Sequence, residues 1–256
     1  MTRLPSLFIS HGGPSVLIDG SPAPDAWRRI AAELPRPRAV LMMSAHHPGR
    51  AVKVGAAPAW QTVHDFRGFP APLYELRYDV DGDPALAEAV FEKIRDAGIA
   101  AELDAAPGID HGAWVPLLAM YPERDVPVVQ LSVLPGGDAR DHYALGRAVA
   151  AFADDKVLVI GSGSLTHNLY ELGRGDGTVP HWVDGFRDWF DERLAEHDVD
   201  ALLDWERLAP FGRENHPTDE HLLPLFFALG AGGAPRALYR GVEHRSVAMD
   251  AYAFGG

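Results

Sequence analysis

Residues 39–47 read Ala-Val-Leu-Met-Met-Ser-Ala-His-His, an unbroken apolar run that ends in two histidines. A strand with one face in water alternates apolar and polar residues, whereas a strand covered on both faces is apolar throughout. The run therefore predicts a central strand of a parallel sheet, with helices packed against both of its faces.

Further strands and helices alternate on either side of this run. Buried strands are predicted at 7–10, 126–133 and 156–160, a half-exposed strand at 74–78, and closing strands at 236–240 and 246–254. Helices are predicted at 26–34, 84–97, 139–152, 182–196 and 218–229. Alternation of this kind predicts an α/β fold with a mostly parallel or mixed central sheet flanked by helices on both faces. Because no linker interrupts the pattern, we expect a single domain over residues 1–256.

Composition excludes several classes of function. The 256 residues contain no cysteine, which excludes disulfides, thiolate zinc sites and cysteine nucleophiles. The net charge of −13 argues against nucleic acid or an anionic membrane as the partner. We see no signal peptide and no window approaching the roughly 18 apolar residues of a membrane span, so we expect a cytoplasmic protein. The sequence leaves open whether it is a monomer or a small homo-oligomer.

The 12 histidines are the most informative residues, because several follow predicted strands directly. His11 follows the strand that ends at Ser10, His46 and His47 follow the run quoted above, and His167 lies a short glycine-rich segment beyond 156–160. In open α/β sheets, ligands bind in the crevice beyond the carboxyl ends of the strands. Neighbouring residues of an extended segment point to opposite sides, so only one of His46 and His47 is expected to face that crevice.

Histidines also occur near predicted helix starts. With Thr218 as N-cap, His221 lies in the first helical turn, where the helix dipole disfavours imidazolium and so favours the neutral form that binds metals. His216 precedes Pro217, which favours an extended conformation suited to lining a pocket. His111 stands just before an apolar helix. His64 is left undecided, and the histidines in polar, charged surroundings are expected to be solvated: His142, His181, His197 and His244.

Six motifs, taken together and in order, resemble a known family. They are Ser10-His-Gly-Gly-Pro14, Ser44-Ala-His46, Asp65-Phe-Arg-Gly-Phe-Pro70 with Leu73-Tyr74, Asp110-His-Gly112, Gly161-Ser-Gly-Ser-Leu-Thr-His-Asn-Leu169 and His216-Pro-Thr-Asp-Glu-His221. Their order and spacing resemble the class III extradiol ring-cleaving dioxygenases, in particular the DOPA 4,5-dioxygenase-like branch. The likeness extends from about residue 5 to the segment 246–254.

The resemblance implies an enzyme that opens the ring of a small catechol with O2 to give a muconic-semialdehyde-type product. It implies a non-haem Fe(II), or Zn(II) in the same place, held by His11, His46 rather than His47, and His221. His167 would be the catalytic base or a fourth ligand, and His111 would act on the substrate in the pocket. The residues assigned to substrate binding are Gly12, Gly13, Asp65 and His216.

One departure from the pattern of the wider family leaves the identity of the metal open. The distant relative protocatechuate 4,5-dioxygenase completes its metal site with a glutamate, whereas the matching position here is His221, with Glu220 beside it. An all-nitrogen set also suits zinc. Two alternatives therefore stand beside the dioxygenase: a zinc-dependent hydrolase, and a non-catalytic binding protein on the same scaffold.

Overall fold

The computed structural model describes residues 3–46, 51–106, 108–172 and 177–255. Its strands are β1 (Ser6–Ser10), β2 (Ala39–Ser44), β3 (Val52–Gly55), β4 (Ala59–Thr62), β5 (Val80–Asp81), β6 (Ala101–Asp104), β7 (Gly108–Ile109), β8 (Val128–Ser132), β9 (Val157–Gly163), β10 (Pro235–Tyr239), β11 (Val242–Glu243), β12 (Val247–Ala248) and β13 (Ala251–Phe254). Its helices are α1 (Ala23–Glu33), α2 (Pro84–Asp96), α3 (His111–Met120), α4 (Ala139–Val149), α5 (His181–Ala195), α6 (Val199–Leu203), α7 (Trp205–Leu208), α8 (Gly212–Asn215) and α9 (Leu223–Ala231).

The main sheet is mixed and runs in the order β10-β13-β1-β9-β2-β8-β3-β6. Its centre is parallel: β1 and β2 both pair in parallel with β9, and β8 pairs in parallel with β2. In register, Ser10 lies opposite Gly163, and Ser44 lies opposite Ser162. The carboxyl ends of β1, β9 and β2 therefore meet at one edge, as the strand-end histidines predict.

The apolar run of β2 is explained by the two layers that cover the sheet. Val40 and Met42 join a core that includes residues of α1 and α3, whereas Leu41 and Met43 join a core on the opposite face with residues of α2, α4 and α9. All six residues of β2 are buried. The predicted α/β class, with a mixed sheet and helices on both faces, is confirmed.

Two predicted elements differ from the structure. Residues 74–78 do not form a strand: Ala71–Tyr74 is a 3-10 helix with a proline in its first turn, and the chain then continues without strand pairing to β5. The late helix begins at Leu223 rather than Thr218, with Pro224 in its first turn, where proline's missing N–H costs no hydrogen bond. His221 consequently lies in the turn before α9.

No helix within the described ranges combines the length and the apolar character needed to span a bilayer.

Candidate metal centre

Three histidine rings converge at the carboxyl edge of the sheet. His11 directly follows β1, His46 lies just beyond β2, and His221 lies in the turn that enters α9. The Nε2 atom of His46 is 3.2 Å from Nε2 of His11 and 3.0 Å from Nε2 of His221. All three side chains are largely shielded from solvent, and His11 and His221 are buried.

The spacing of these three nitrogens fits a single metal ion. Nitrogen ligands about 2.1 Å from a metal lie about 3.0 Å apart at a right angle and about 3.4 Å apart at the tetrahedral angle. Imidazole nitrogens suit both iron and zinc. The residues present therefore fit one divalent transition metal held by His11, His46 and His221.

Two of the rings have partners that direct an unprotonated Nε2 toward the metal position. The hydroxyl of Ser162 donates to the carbonyl of Gly112 at 2.5 Å, so its oxygen accepts from Nδ1–H of His11 at 3.1 Å. Nδ1–H of His221 donates to Glu220 Oε1 at 3.0 Å. A histidine that donates through Nδ1 keeps the Nε2 lone pair free for a metal, and such partners fix the orientation of the ring.

Burial keeps the three imidazoles neutral. It lowers the pKa of His46 to about 3, with His111 adding to the shift and Asp65 opposing it. Burial, reinforced by the neighbouring histidines, also holds the pKa values of His11 and His221 well below their usual value. Since a metal binds only the neutral ring, protonation does not compete with a metal near neutral pH.

Close backbone packing on β9 places His221. A Cβ on Gly163 would lie 2.0 Å from the carbonyl oxygen of His221, and one on Gly161 would lie 1.9 Å from that of Pro224. The backbone N–H of Ser164 donates to the His221 carbonyl at 2.8 Å. The two glycines therefore let the turn before α9 lie directly on the strand that separates β1 from β2.

His167 lies beside the three converging rings. Its ring stacks on that of His221, with centroids 3.5 Å apart and 12° between the planes. Its backbone N–H donates to the carbonyl of Asn215 at 2.9 Å. Burial lowers the pKa of His167 to about 4, although the nearby carboxylate of Glu220 opposes that shift. The ring is therefore neutral and able to accept a proton.

His111 begins α3 and lies against His46, with ring centroids 4.0 Å apart. Asp110 caps the helix by accepting from the backbone N–H of Ala113. The buried Asp110 carboxylate also accepts from the hydroxyl of Ser44 at 2.6 Å, and Ser44 Oγ in turn accepts from the backbone N–H of His46 at 3.2 Å. This chain of contacts ties the start of α3 to the end of β2.

The histidines open into a cavity of about 300 Å³, whose walls are mainly apolar. His11, His46, His111 and His167 form one end, together with Gly12, Gly13 and Ser164. The remaining walls include Phe66, Phe69, Leu169, Leu172 and Val247. A larger cavity of about 480 Å³ lies beside Trp205, but among the histidines that the structure describes it reaches only His216, so we assign the site to the smaller one.

The structure separates several of the predicted site residues. Gly12 and Gly13 line the cavity, whereas Asp65 and His216 are outside its described lining. His216 is buried between Phe186 and Trp205, and its Nε2 lies 2.8 Å from the carbonyl of Leu165. It packs as a core histidine rather than facing the site. His47 lies outside the described residues.

Two other histidines were expected to be solvated. His142 is instead fully buried, and its Nε2 accepts from the backbone N–H of Leu134 at 3.0 Å. His244 is exposed as expected, but it also lines the cavity, on the turn between β11 and β12. Sequence reasoning missed its place in the cavity wall because the turn of a short hairpin, and not the end of a predicted strand, carries it there.

Comparisons with known proteins point to one family. The family model of the catalytic LigB subunit of aromatic ring-opening dioxygenase matches residues 6–255. The 4,5-DOPA dioxygenase extradiol of Beta vulgaris is 40% identical over 89% of this chain and 87% of its own length. The protein of the same name from Escherichia coli K12 is 35% identical over 97% of this chain and 93% of its own.

A solved structure is similar over the whole chain. The crystal structure of the uncharacterized protein JW3007 from Escherichia coli K12 superposes with a TM-score of 0.83 at 32% identity, covering 99% of this chain and 100% of that one. The family expected from the six motifs is thereby confirmed. The chain belongs to the family of the catalytic LigB subunit of aromatic ring-opening dioxygenases, and it is an extradiol dioxygenase.

Proposed function

We propose that this enzyme opens the ring of a small catechol beside its two hydroxyl groups, incorporating both atoms of O2 to give a muconic-semialdehyde-type product. The observation that carries the proposal is the convergence of three Nε2 atoms beside a mainly apolar cavity, which is lined by two of these histidines, His11 and His46, and also by His111 and His167. One polar end and apolar walls suit an aromatic ring that enters with its hydroxyl groups inward.

His11, His46 and His221 would hold the metal, with Fe(II) as the working ion and Zn(II) fitting the same nitrogens. When bound, the metal supplies a positively charged template that holds the catechol oxygens and dioxygen together and lets charge pass between them. Because the three imidazoles are neutral, they would not cancel the positive charge of the ion, which could then attract an anionic catecholate.

His167 would take a proton from a catechol hydroxyl. Its lowered pKa, about 4, keeps the ring unprotonated before substrate arrives. Once protonated, the ring would be stabilised by the nearby carboxylate of Glu220, which favours the imidazolium form. A general base of this kind typically contributes a factor of about 10² to 10⁴ in rate.

His111 would act on the substrate from the opposite side of the cavity end. With Nδ1 against Asp65, its Nε2 is free to hydrogen-bond a catechol or dioxygen-derived oxygen. Phe66 and Phe69 would pack on the substrate ring and keep water from the reacting atoms, and Gly12 and Gly13 would leave room beside His11.

The test is to load the metal-free protein with Fe(II) anaerobically, then add O2 and a panel of catechols. We expect oxygen uptake with the appearance of a yellow semialdehyde. The His11→Ala variant is the control, and it should show neither. Stable Fe(II) binding without oxygen uptake on any catechol in the panel contradicts the proposal.

One observation favours a second function, a zinc-dependent hydrolase: the three converging ligands are all nitrogens, a set that also activates water on zinc. Loading with Zn(II), followed by an ester and amide hydrolysis screen, separates the two. We further propose a small catechol and O2 as the only partners, without nucleic acid or membrane. We also propose a cytoplasmic location and either a monomer or a small homo-oligomer.

A further inference from the structure

Asp65 lies behind two of the site histidines rather than in the cavity. It belongs to the segment after β4, and its side chain is 24% exposed. Its Oδ1 lies 2.9 Å from Nδ1 of His111 and accepts from the backbone N–H of the same residue at 3.0 Å. Its Oδ2 lies 3.9 Å from Nδ1 of His46. One carboxylate thus faces the Nδ1 atoms of two imidazoles.

The contact with His111 sets which of its nitrogens carries the proton. A carboxylate only accepts hydrogen bonds, so Nδ1 beside it carries hydrogen and Nε2 keeps its lone pair. The backbone contact fixes the carboxylate relative to the start of α3.

The contact with His46 is electrostatic. A separation of 3.9 Å is too long for a hydrogen bond, but it is short enough for a carboxylate to attract a polarised Nδ1–H. His46 is the central ring of the three, since its Nε2 is the one close to both of the others. A negative charge behind this ring makes it a stronger electron donor to a metal.

We propose that Asp65 is a positioning residue that acts on both parts of the site at once: through His46 on metal affinity, and through His111 on turnover, without touching substrate. This reverses the substrate-binding role that its motif suggests. The turnover part rests on the proposed function, whereas the metal-affinity part does not.

The experiment compares Asp65→Asn with wild type in two independent readouts. The first is the affinity of the metal-free protein for Zn(II), measured by competition with a chromophoric chelator. The second is kcat and KM for a catechol at saturating Fe(II). We expect the variant to bind Zn(II) about 10- to 100-fold more weakly, the usual loss when the partner of a ligand is removed. We also expect kcat to fall at least tenfold, with KM changing less.

Two control variants test whether the effect depends on the position of the carboxylate and on its negative charge. Asp81→Asn removes an exposed carboxylate on β5, and it should change neither readout. Asp65→Glu keeps the charge and should recover part of the Zn(II) affinity that Asp65→Asn loses. Circular dichroism and thermal unfolding check that each variant is folded, so that a loss of either property can be assigned to the site.

A double variant identifies the route to turnover. If Asp65 acts on turnover through His111, adding Asp65→Asn to His111→Phe should lower kcat no further, yet should still weaken Zn(II) binding. The proposal is overturned if the Zn(II) affinity of Asp65→Asn lies within twofold of the wild-type value. It is also overturned if the kcat losses of Asp65→Asn and His111→Phe multiply in the double variant. A wild-type protein that binds metal but turns over no catechol contradicts the proposed function instead, and the Zn(II) comparison still decides the role of Asp65.

Discussion

Replacing Gly163 with alanine tests whether the packing of the turn before α9 on β9 sets the metal centre. A Cβ at this position would lie 2.0 Å from the carbonyl oxygen of His221, where ordinary contact begins at 3.4 Å. The difference means that the His221 backbone must retreat by about 1.4 Å, or β9 must shift by a similar amount. The alanine therefore displaces a proposed metal ligand, His221, without removing any of its atoms.

The expected loss of metal affinity follows from that displacement. Metal–ligand distances vary by only about 0.2 Å, so a shift of about 1 Å takes the His221 nitrogen out of bonding range. Losing only the hydrogen-bond partner of a ligand weakens binding about 10- to 100-fold. We therefore expect Gly163→Ala to bind Zn(II) at least about 100-fold more weakly. Overpacking should also lower the free energy of unfolding by about 1–3 kcal/mol.

Gly146→Ala is the matched control. A Cβ on Gly146 in α4 would lie 2.1 Å from the carbonyl oxygen of Phe227, so it meets the same helix, α9, with nearly the same overlap. It should destabilise the protein similarly but leave Zn(II) affinity unchanged in the folded state. Chelator competition and urea unfolding measure the two properties. If Gly163→Ala binds Zn(II) within threefold of wild type, or if Gly146→Ala loses as much affinity, the packing argument is wrong.

Three other predictions concern single residues. His167→Ala should lower kcat by about 10² to 10⁴ with Zn(II) affinity nearly unchanged, since a base is lost but no ligand; weaker Zn(II) binding would instead identify His167 as a fourth ligand. Arg187→Met should lower the free energy of unfolding in urea by about 3–5 kcal/mol, because it leaves the buried carboxylate of Asp250, now 2.7 Å from the guanidinium, without its partner. Burial lowers the pKa of His216 to about 4 from 6.5. Between these two pH values the unfolded chain binds a proton at His216 that the folded chain does not bind. Stability should therefore fall as the pH drops from 7 to 5, by about 2 kcal/mol from this residue, and His216→Phe should lose that part of the pH dependence.

The histidines at strand ends could be predicted because two local rules combine. An unbroken apolar run identifies a central strand, and parallel strands end at the same edge. His11, His46 and His167 each follow such a strand, and β1, β9 and β2 prove to be neighbours in the sheet. Extended geometry alone did not choose between His46 and His47. That choice came from the family resemblance, and the structure places the His46 ring against both His11 and His221.

The partners of these rings could not be predicted, because they depend on contacts between distant segments. Ser162 meets His11 across 151 positions of sequence, and Asp65 meets His111 across 46. The role of Gly163 was open for a similar reason. A glycine after a strand suggests a flexible turn, but here it lies within β9 and allows a second backbone to approach. The burial of His216 could not be foreseen, because its local conformation carries no information about Phe186 and Trp205, whose rings it contacts.

The position of the carboxylates bears on which reaction the site supports. In a site with a carboxylate ligand, part of the charge of a divalent ion is neutralised in the ligand set itself. Here the three converging side chains are neutral imidazoles, and the nearby carboxylates, Asp65 and Glu220, lie one ring further out. A metal ion held by these imidazoles would therefore keep its full attraction for an anion, which supports the proposed chelating catecholate over a neutral ester. The carboxylate of Glu220 behind His221 would make that ring a stronger donor, and so would favour transfer of charge from a bound catecholate toward oxygen. Replacing Glu220 with Gln should on this reasoning lower the rate of ring opening as well as metal affinity, and an unchanged rate at saturating Fe(II) would mean that Glu220 serves only to hold the His221 ring in place.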